Sequence, residues 1–232
     1  MARMLLHHEV LPEVLPAEPL PLVTEWLAQA TREQVQSNPN AMVLVTVDAR
    51  GKPSARVVLC KEIRPQEGLI TFFTNYASRK GLELAANPHA AVVMYWDALR
   101  RQVRLEGAVT ATTAAESDAY FASRAWQSRI GAWASQQSTP IGSRAQLTQA
   151  VDRTAQRFGV PSPSSSDDAA ADPGVPIPRP PQWGGYHLWV ESVELWVEGT
   201  ARLHDRARWQ RQLTRDGAVF RGGRWHATRL QP

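Results

Sequence analysis

Residues 56–80 decide the fold: Arg56-Val57-Val58-Leu59-Cys60-Lys61, then, after the turn at Pro65-Gln66-Glu67-Gly68, Leu69-Ile70-Thr71-Phe72-Phe73-Thr74-Asn75, and finally Ser78-Arg79-Lys80. The two runs are rich in β-branched and aromatic residues, and a proline and a glycine separate them, so the stretch predicts an antiparallel hairpin. Ser78 suits a helix N-cap, and Leu82, Leu84, Ala85 and Ala86 continue a helical pattern that Asn87-Pro88 stops. A helix start offers free N–H groups to an anion, and Arg56, Lys61, Arg79 and Lys80 add positive charge around it. Side chains alternate along a strand, so Arg56 and Lys61 differ in parity: either Lys61 lies past the strand end or, the favoured reading, the two cations serve two different anions. A solvated strand edge dotted with Lys and Arg is the plainer alternative.

Outward from this stretch the pattern stays β-rich. Met42–Val47 and Ser54–Lys61 form a hairpin around Asp48-Ala49-Arg50-Gly51. Ala91–Trp96 is an unbroken apolar run, the mark of a strand buried on both faces, whereas Gln102–Thr110 alternates as a half-buried strand does. His187–Val190 and Val193–Val197 read as two further strands, and the chain closes with Ala218–Arg221, a Gly222-Gly223 turn and a last run from Trp225. Helices are predicted from Pro19 to about Gln36, from the capping box Thr113-Ala114-Ala115-Glu116 to about Arg124, and from Ser143 to Phe158 before Gly159. Residues 131–138 read as an uncharged polar loop, with Ser128 just past the preceding helix. The fold class expected is mainly β with flanking helices, antiparallel rather than a parallel βαβ sheet. One domain over 18–232 follows a loosely held arm, 1–17, and is interrupted by a mobile Pro/Ser/Ala-rich insertion at 159–182.

Composition narrows the function. The 232 residues carry a net charge of +4, with 43% hydrophobic and 21% charged residues, as in an ordinary globular protein. A single cysteine, Cys60, excludes an internal disulfide framework and every multi-cysteine metal site. No apolar run reaches membrane-span length and no signal-peptide pattern opens the chain, so a cytoplasmic protein without membrane contact is expected. The arginines are scattered, and no basic helix or aromatic-interleaved nucleic-acid motif is present. The adjacent His7 and His8 lack companions at metal spacing, and no metal is expected. Nine tryptophans suit a planar ligand or aromatic interface, with core packing the commoner reason.

Phosphate-binding loops of nucleotide hydrolases, GxGxxG, GxSxG and HExxH are all absent. What remains is anion-binding and aromatic residues with few nucleophiles or bases, a profile that suits a phosphorylated organic cofactor. Tyr120 and Arg124, four apart, and the nearby Ser128 could hold a phosphate through two hydroxyls and a guanidinium fork.

On these residues the sequence resembles the pyridoxine (pyridoxamine) 5′-phosphate oxidases. The likeness rests on Arg56–Lys61, Phe73–Lys80, Arg101–Arg104, Ser128–Trp133, Gln137-Ser138, Trp183–Tyr186, Arg202–Arg206 and Arg229–Pro232, in family order. It implies an FMN-binding split barrel working as a homodimer with FMN at the interface. Arg56, Val57, Val58, Arg79, Lys80, Gln137 and Ser138 would hold FMN, with Phe73, Thr74, Gln102, Trp196 and Arg206 along its ribityl chain and ring. Lys61, Tyr120, Arg124 and Ser128 would take the substrate phosphate, and Arg202 and His204, the catalytic pair, would lie over the pyridine ring. The implied reaction oxidises pyridoxamine or pyridoxine 5′-phosphate to pyridoxal 5′-phosphate and reduces dioxygen to hydrogen peroxide. The chain departs from the family in an arm reading Met4-Leu5-Leu6-His7-His8 where an Arg and a Tyr are usual, in the length of 159–182, and in Cys60 for an aliphatic residue. Two alternatives share the fold: an FMN oxidase of another substrate such as a phenazine precursor, and a non-enzymatic flavin or pyridoxal-phosphate binder. The phosphate set argues against the first, and Arg202 with His204 against the second.

Overall fold

The computed structural model describes residues 10–163 and 171–232. His7 and His8 and the departures at 4–8 lie outside them. The described residues fall into two compact units, one of residues 10–72, 87–110 and 187–232, the other of residues 73–86, 111–163 and 171–186.

The first unit is built on antiparallel strands. After helix α1 (Leu20–Arg32) come β1 (Ala41–Val47), β2 (Pro53–Leu59), β3 (Glu62–Arg64) and β4 (Leu69–Asn75), then β5 (His89–Trp96), β6 (Arg101–Ala111), β7 (Trp183–Val197), β8 (Asp205–Gln210), β9 (Leu213–Asp216), β10 (Val219–Gly222) and β11 (His226–Leu230). The strand order is β11-β8-β7-β6-β5-β1-β2, with β4 pairing β3 and β7, and β9–β10 forming a separate ribbon. Strands β4, β6 and β7 each give residues to both units. The core of the first unit gathers Met42, Leu44, Ile70, Phe72, Met94, Trp96, Leu105 and Trp209, all essentially inaccessible. Gly107 lets backbones meet there: a Cβ would lie 1.8 Å from the Trp189 carbonyl oxygen.

Several expectations hold and several are corrected. The β1–β2 hairpin forms with Val43 opposite Val57 and Leu44 opposite Arg56. The second hairpin does not use 56–61 as its first arm: the short β3 pairs β4, with Glu62 opposite Thr71. Cys60 and Lys61 therefore form a corner beyond the end of β2, and strand parity does not relate Arg56 to Lys61. Strand β5 is not buried on both faces. Its alternate residues Ala90, Val92, Met94 and Trp96 are buried, while Tyr95 is exposed. The two runs around Glu191-Ser192 are one 15-residue strand, β7. The closing ribbon turns at Gly217, where φ is +62°, rather than at Gly222-Gly223. The arm is tied from residue 11 onward. Leu11 is buried, its N–H donates to Asp205, and Trp209 Nε1 donates to the Pro16 carbonyl at 2.7 Å.

The second unit contains α2 (Arg79–Ala86), α3 (Ala114–Ala122), α4 (Trp126–Ala134) and α5 (Arg144–Phe158). The capping box forms as read, with Thr113 and Glu116 bonding each other's backbone N–H groups. Gly159 closes α5 in the left-handed conformation at φ +67°. Helix α3 stops at Ala122, and residues 126–134, partly read as loop, are helix α4 because Trp126 and Ile130 share one buried face. Ser128 consequently sits inside α4. Residues 171–182, expected to belong to a mobile insertion, are anchored. Ile177 is buried, Trp133 Nε1 donates to the Pro178 carbonyl at 2.7 Å, and Arg179 pairs with Asp118 at 2.6 Å.

Candidate active site

The second unit brings two groups of expected site residues together. The first centres on Lys80, which is buried at the start of α2. Its ammonium donates to Gln137 Oε1 at 2.7 Å, Thr74 Oγ1 at 3.1 Å and Ser78 Oγ at 3.2 Å. Ser78 is the N-cap foreseen from sequence: its Oγ accepts the Gly81 N–H at 3.4 Å and donates to the Asn75 carbonyl. Gly81 is required for this tight corner, since a Cβ would lie 2.1 Å from the Tyr76 carbonyl oxygen. Arg79 points outward and its Nε pairs with Glu83 at 2.8 Å. Ser138, exposed, takes φ +75°, which for a non-glycine residue marks a shaped loop. Gln137 and Ser138 also line a cavity of about 450 Å³ with residues of α5.

The second group is an aromatic floor carrying a guanidinium. Phe73 and Tyr120 stack with centroids 3.9 Å apart and planes 17° from parallel. Trp183 lies nearly parallel to both, at 5.6 Å from Phe73 and 6.0 Å from Tyr120. Arg124, just past the end of α3, places its Cζ 4.8 Å from the Trp183 ring centroid and 5.4 Å from that of Phe121. Its Nη1 is buried and has no hydrogen-bond partner among the described residues. Burial lowers the proton affinity of this guanidinium, an effect the Tyr120 phenol partly opposes. A buried charged donor without an acceptor costs several times an exposed one, so such a group marks a place for an anion. Ser128 is exposed, four residues past Arg124 in the sequence, on α4.

The first unit carries the rest. Arg56 is bound to its own sheet: Nη1 donates to Thr46 Oγ1 and to the Leu44 carbonyl, and Nη2 donates to Ser54 Oγ. Val57 is exposed and Val58 half-buried. Lys61 is exposed at the corner before β3, its backbone N–H bonded to the Thr71 carbonyl at 2.8 Å. Gln102 is half-buried opposite Tyr95. Trp196 lies directly across the ladder from Arg206, whose guanidinium pairs with the buried Glu194 at 2.8 Å. His204 packs against Trp196 at 4.7 Å, and the Gly199 N–H donates to its Nδ1 at 3.2 Å. That bond fixes the neutral ring as the tautomer with its proton on Nε2. Arg202 is exposed at φ +65°, next to Ala201 at φ +53°, two consecutive non-glycine residues in the left-handed region. Such strain gathers where surroundings hold a side chain for use.

Sequence reasoning missed Trp183 as part of the site. It stands 59 positions after Arg124, and although the family likeness rested in part on Trp183–Tyr186, it gave this tryptophan no role. The Cys60 thiol is no nucleophile, since burial pushes its pKa up to about 12.

Comparison with known proteins follows the same lines. Residues 27–158 match the family model of pyridoxamine 5′-phosphate oxidase, and residues 183–232 match that of the pyridoxine 5′-phosphate oxidase C-terminal dimerisation region. The chain is 46% identical to pyridoxine/pyridoxamine 5′-phosphate oxidase 1 of Ralstonia nicotianae over 214 residues, covering 92% of this chain and 89% of that one. Among solved structures it resembles PhzG from Burkholderia lata, crystallised with tetrahydrophenazine-1-carboxylic acid, at 30% identity and a TM-score of 0.77 over 94% of each chain. A pyridoxamine 5′-phosphate oxidase-related, FMN-binding protein from Nostoc punctiforme shares the fold at 16% identity and a TM-score of 0.64, covering 95% and 99% of the two chains.

Proposed function

The chain belongs to the pyridoxamine 5′-phosphate oxidase family, and from that membership we propose that it oxidises pyridoxamine 5′-phosphate and pyridoxine 5′-phosphate to pyridoxal 5′-phosphate, with dioxygen reduced to hydrogen peroxide. It is an oxidoreductase with the FMN-binding split-barrel fold and FMN as cofactor. When bound, FMN supplies the two-electron acceptor that no side chain offers.

The donor set fits a flavin phosphate. Lys80 is a buried cation ringed by the oxygens of Thr74, Ser78 and Gln137, any of which can yield its place to a phosphate oxygen. Arg79 precedes Lys80 at the same corner, and Ser138 follows Gln137 in its loop. By family likeness Arg56, Val57, Val58, Phe73, Gln102, Trp196 and Arg206 complete the cofactor's contacts. The same family likeness assigns the substrate's phosphate to Arg124, Tyr120, Ser128 and Lys61. By the same likeness His204 would offer its Nε2–H to the pyridine ring, and Arg202 would bring positive charge to offset the negative charge that develops on the flavin or ring as a hydride leaves C4′. These side chains bind and orient, and water hydrolyses the imine left from the amine substrate to the aldehyde and ammonia.

One observation carries the reading: the buried Arg124 Nη1 without an acceptor on an aromatic floor. What weighs against the second reading, a phenazine-precursor oxidase suggested by the likeness to PhzG, is the whole set of Lys61, Tyr120, Arg124 and Ser128, which a phosphate-free tricycle does not require. The FMN-loaded protein is expected to release peroxide and pyridoxal 5′-phosphate from pyridoxamine 5′-phosphate in air. Turnover of a reduced phenazine carboxylate with none of the B6 phosphates would reverse the choice.

The protein is further proposed to act as a homodimer in the cytoplasm. The C-terminal match is to a dimerisation region. One face of the first unit's sheet sets Val57, Val43 and Val93 in register across β2, β1 and β5. Val57, Val43 and Tyr95 stay exposed on the chain alone, an apolar surface of the kind a second copy covers. Among the described residues no helix is long and apolar enough to cross a membrane.

A further inference from the structure

We propose that Trp183 is the positioning residue of the phosphate site, its indole face holding the Arg124 guanidinium in the plane that meets the ligand's phosphate. The inference rests on the reading of Arg124 given above and adds to it what keeps that arginine in place.

Arg124 has no carboxylate or carbonyl acceptor for its guanidinium among the described residues. An arginine side chain has about 2 kcal/mol of rotamer entropy to lose, so something other than hydrogen bonding must order it. The candidates are the two rings it lies over, Trp183 at 4.8 Å and Phe121 at 5.4 Å. Indole has the more negative face and is the closer ring, so it supplies the larger share of the attraction, which grows as the cation loses water. A ring face accepts no N–H···O bond from the guanidinium, so the donors keep their capacity for a phosphate.

Trp183 is itself held from every side. It is buried, nearly parallel to Phe73 and Tyr120, and Phe121 meets it edge-on at 5.0 Å and 70°. Its backbone is clamped at the entry to β7: the N–H donates to the Pro180 carbonyl at 3.0 Å, and its carbonyl accepts Arg179 Nη1 at 2.6 Å. Arg179 in turn is oriented by Asp118 on α3. An indole so fixed is a template, whereas a loosely packed one would follow the cation.

The test uses the FMN-loaded protein and calorimetric titration with pyridoxal 5′-phosphate and with pyridoxal, which lacks the phosphate. Trp183→Leu is expected to weaken pyridoxal 5′-phosphate about tenfold, equivalent to about 1.4 kcal/mol, and to leave pyridoxal unchanged. Trp183→Phe, which keeps a π face, is expected to recover most of that loss. In steady state Trp183→Leu should raise KM for pyridoxamine 5′-phosphate by a similar factor with kcat within about threefold. Site-specific trifluorotryptophan at 183 changes the face's charge without emptying the core, so it answers even if Trp183→Leu fails to fold, and it should weaken only the phosphorylated ligand. Unchanged phosphate affinity in the fluorinated protein, or equal loss for both ligands, overturns the role of Trp183. If the wild-type protein itself shows no preference for the phosphorylated ligand, the phosphate-site reading falls and this proposal with it.

Discussion

Two arginines in this molecule are treated alike by burial and differently by hydrogen bonding. Arg211 in the first unit places its Cζ 4.3 Å from the Trp225 ring centroid, much as Arg124 lies over Trp183 in the second. Burial lowers the proton affinity of both. Arg211, however, spends its donors on the backbone: Nε bonds the Val190 carbonyl at 2.8 Å, and Nη2 bonds that of Gly68 at 3.0 Å. Arg124 spends none of its guanidinium donors on the described residues. The same stacked cation is thus a rivet where carbonyls receive it and a ligand site where nothing does. Burial alone would not have told them apart.

That contrast can be broken by experiment. Arg211→Leu strands the Val190 carbonyl and frees Trp225, so it is expected to cost about 2–3 kcal/mol of stability in denaturant melts while leaving the affinity for pyridoxal 5′-phosphate within twofold. A loss of affinity without a loss of stability would make Arg211 a functional residue and erase the distinction. Gly68→Ala attacks the same rivet from the other partner. Gly68 has φ +74°, and a Cβ there would lie 2.1 Å from Arg211 Nη2. Strain and displacement together should cost about 2 kcal/mol; the displacement part is expected to vanish in the Arg211→Leu background, while the backbone strain stays.

A smaller effect comes with alkali. Burial, with Tyr76 beside it, pushes the Tyr186 phenol up to about 12 from an ordinary value near 10. Its neutral form is favoured in the fold, so its contribution to stability is complete below pH 10 and is lost as pH rises through about 12. Tyr186→Phe should flatten this limb of a stability-against-pH curve, and Arg124→Leu and Arg211→Leu should leave it in place.

Local signals were legible in the sequence. The β1–β2 hairpin, the capping box at Thr113, Ser78 as N-cap and Gly159 as C-cap each depend on a few neighbouring residues. What failed had a non-local cause. Strand β5 read as doubly buried because its open face is also apolar, as a partner-facing surface is. Strand β7 read as two because Glu191 and Ser192 interrupt its apolar residues, yet Ser192 is buried within one continuous strand. The three residues of β3 were hidden behind the Cys60-Lys61 corner. At the site, Arg56, Lys61, Arg79, Lys80 and Arg124 were marked by charge and spacing and given roles by the family resemblance, whereas no local signal places Trp183, 59 positions on, under Arg124. Seven of the nine tryptophans are buried, so core packing explains most of that count.

The most direct measurement pairs stability with ligand affinity in Arg124→Leu. The variant should melt at or slightly above the wild-type temperature, because an uncompensated buried donor has been removed, while its affinity for pyridoxal 5′-phosphate falls at least a hundredfold, or about 2.7 kcal/mol. A melting temperature lowered as in Arg211→Leu, with phosphate binding intact, would show that Arg124 is a second rivet and would contradict the account.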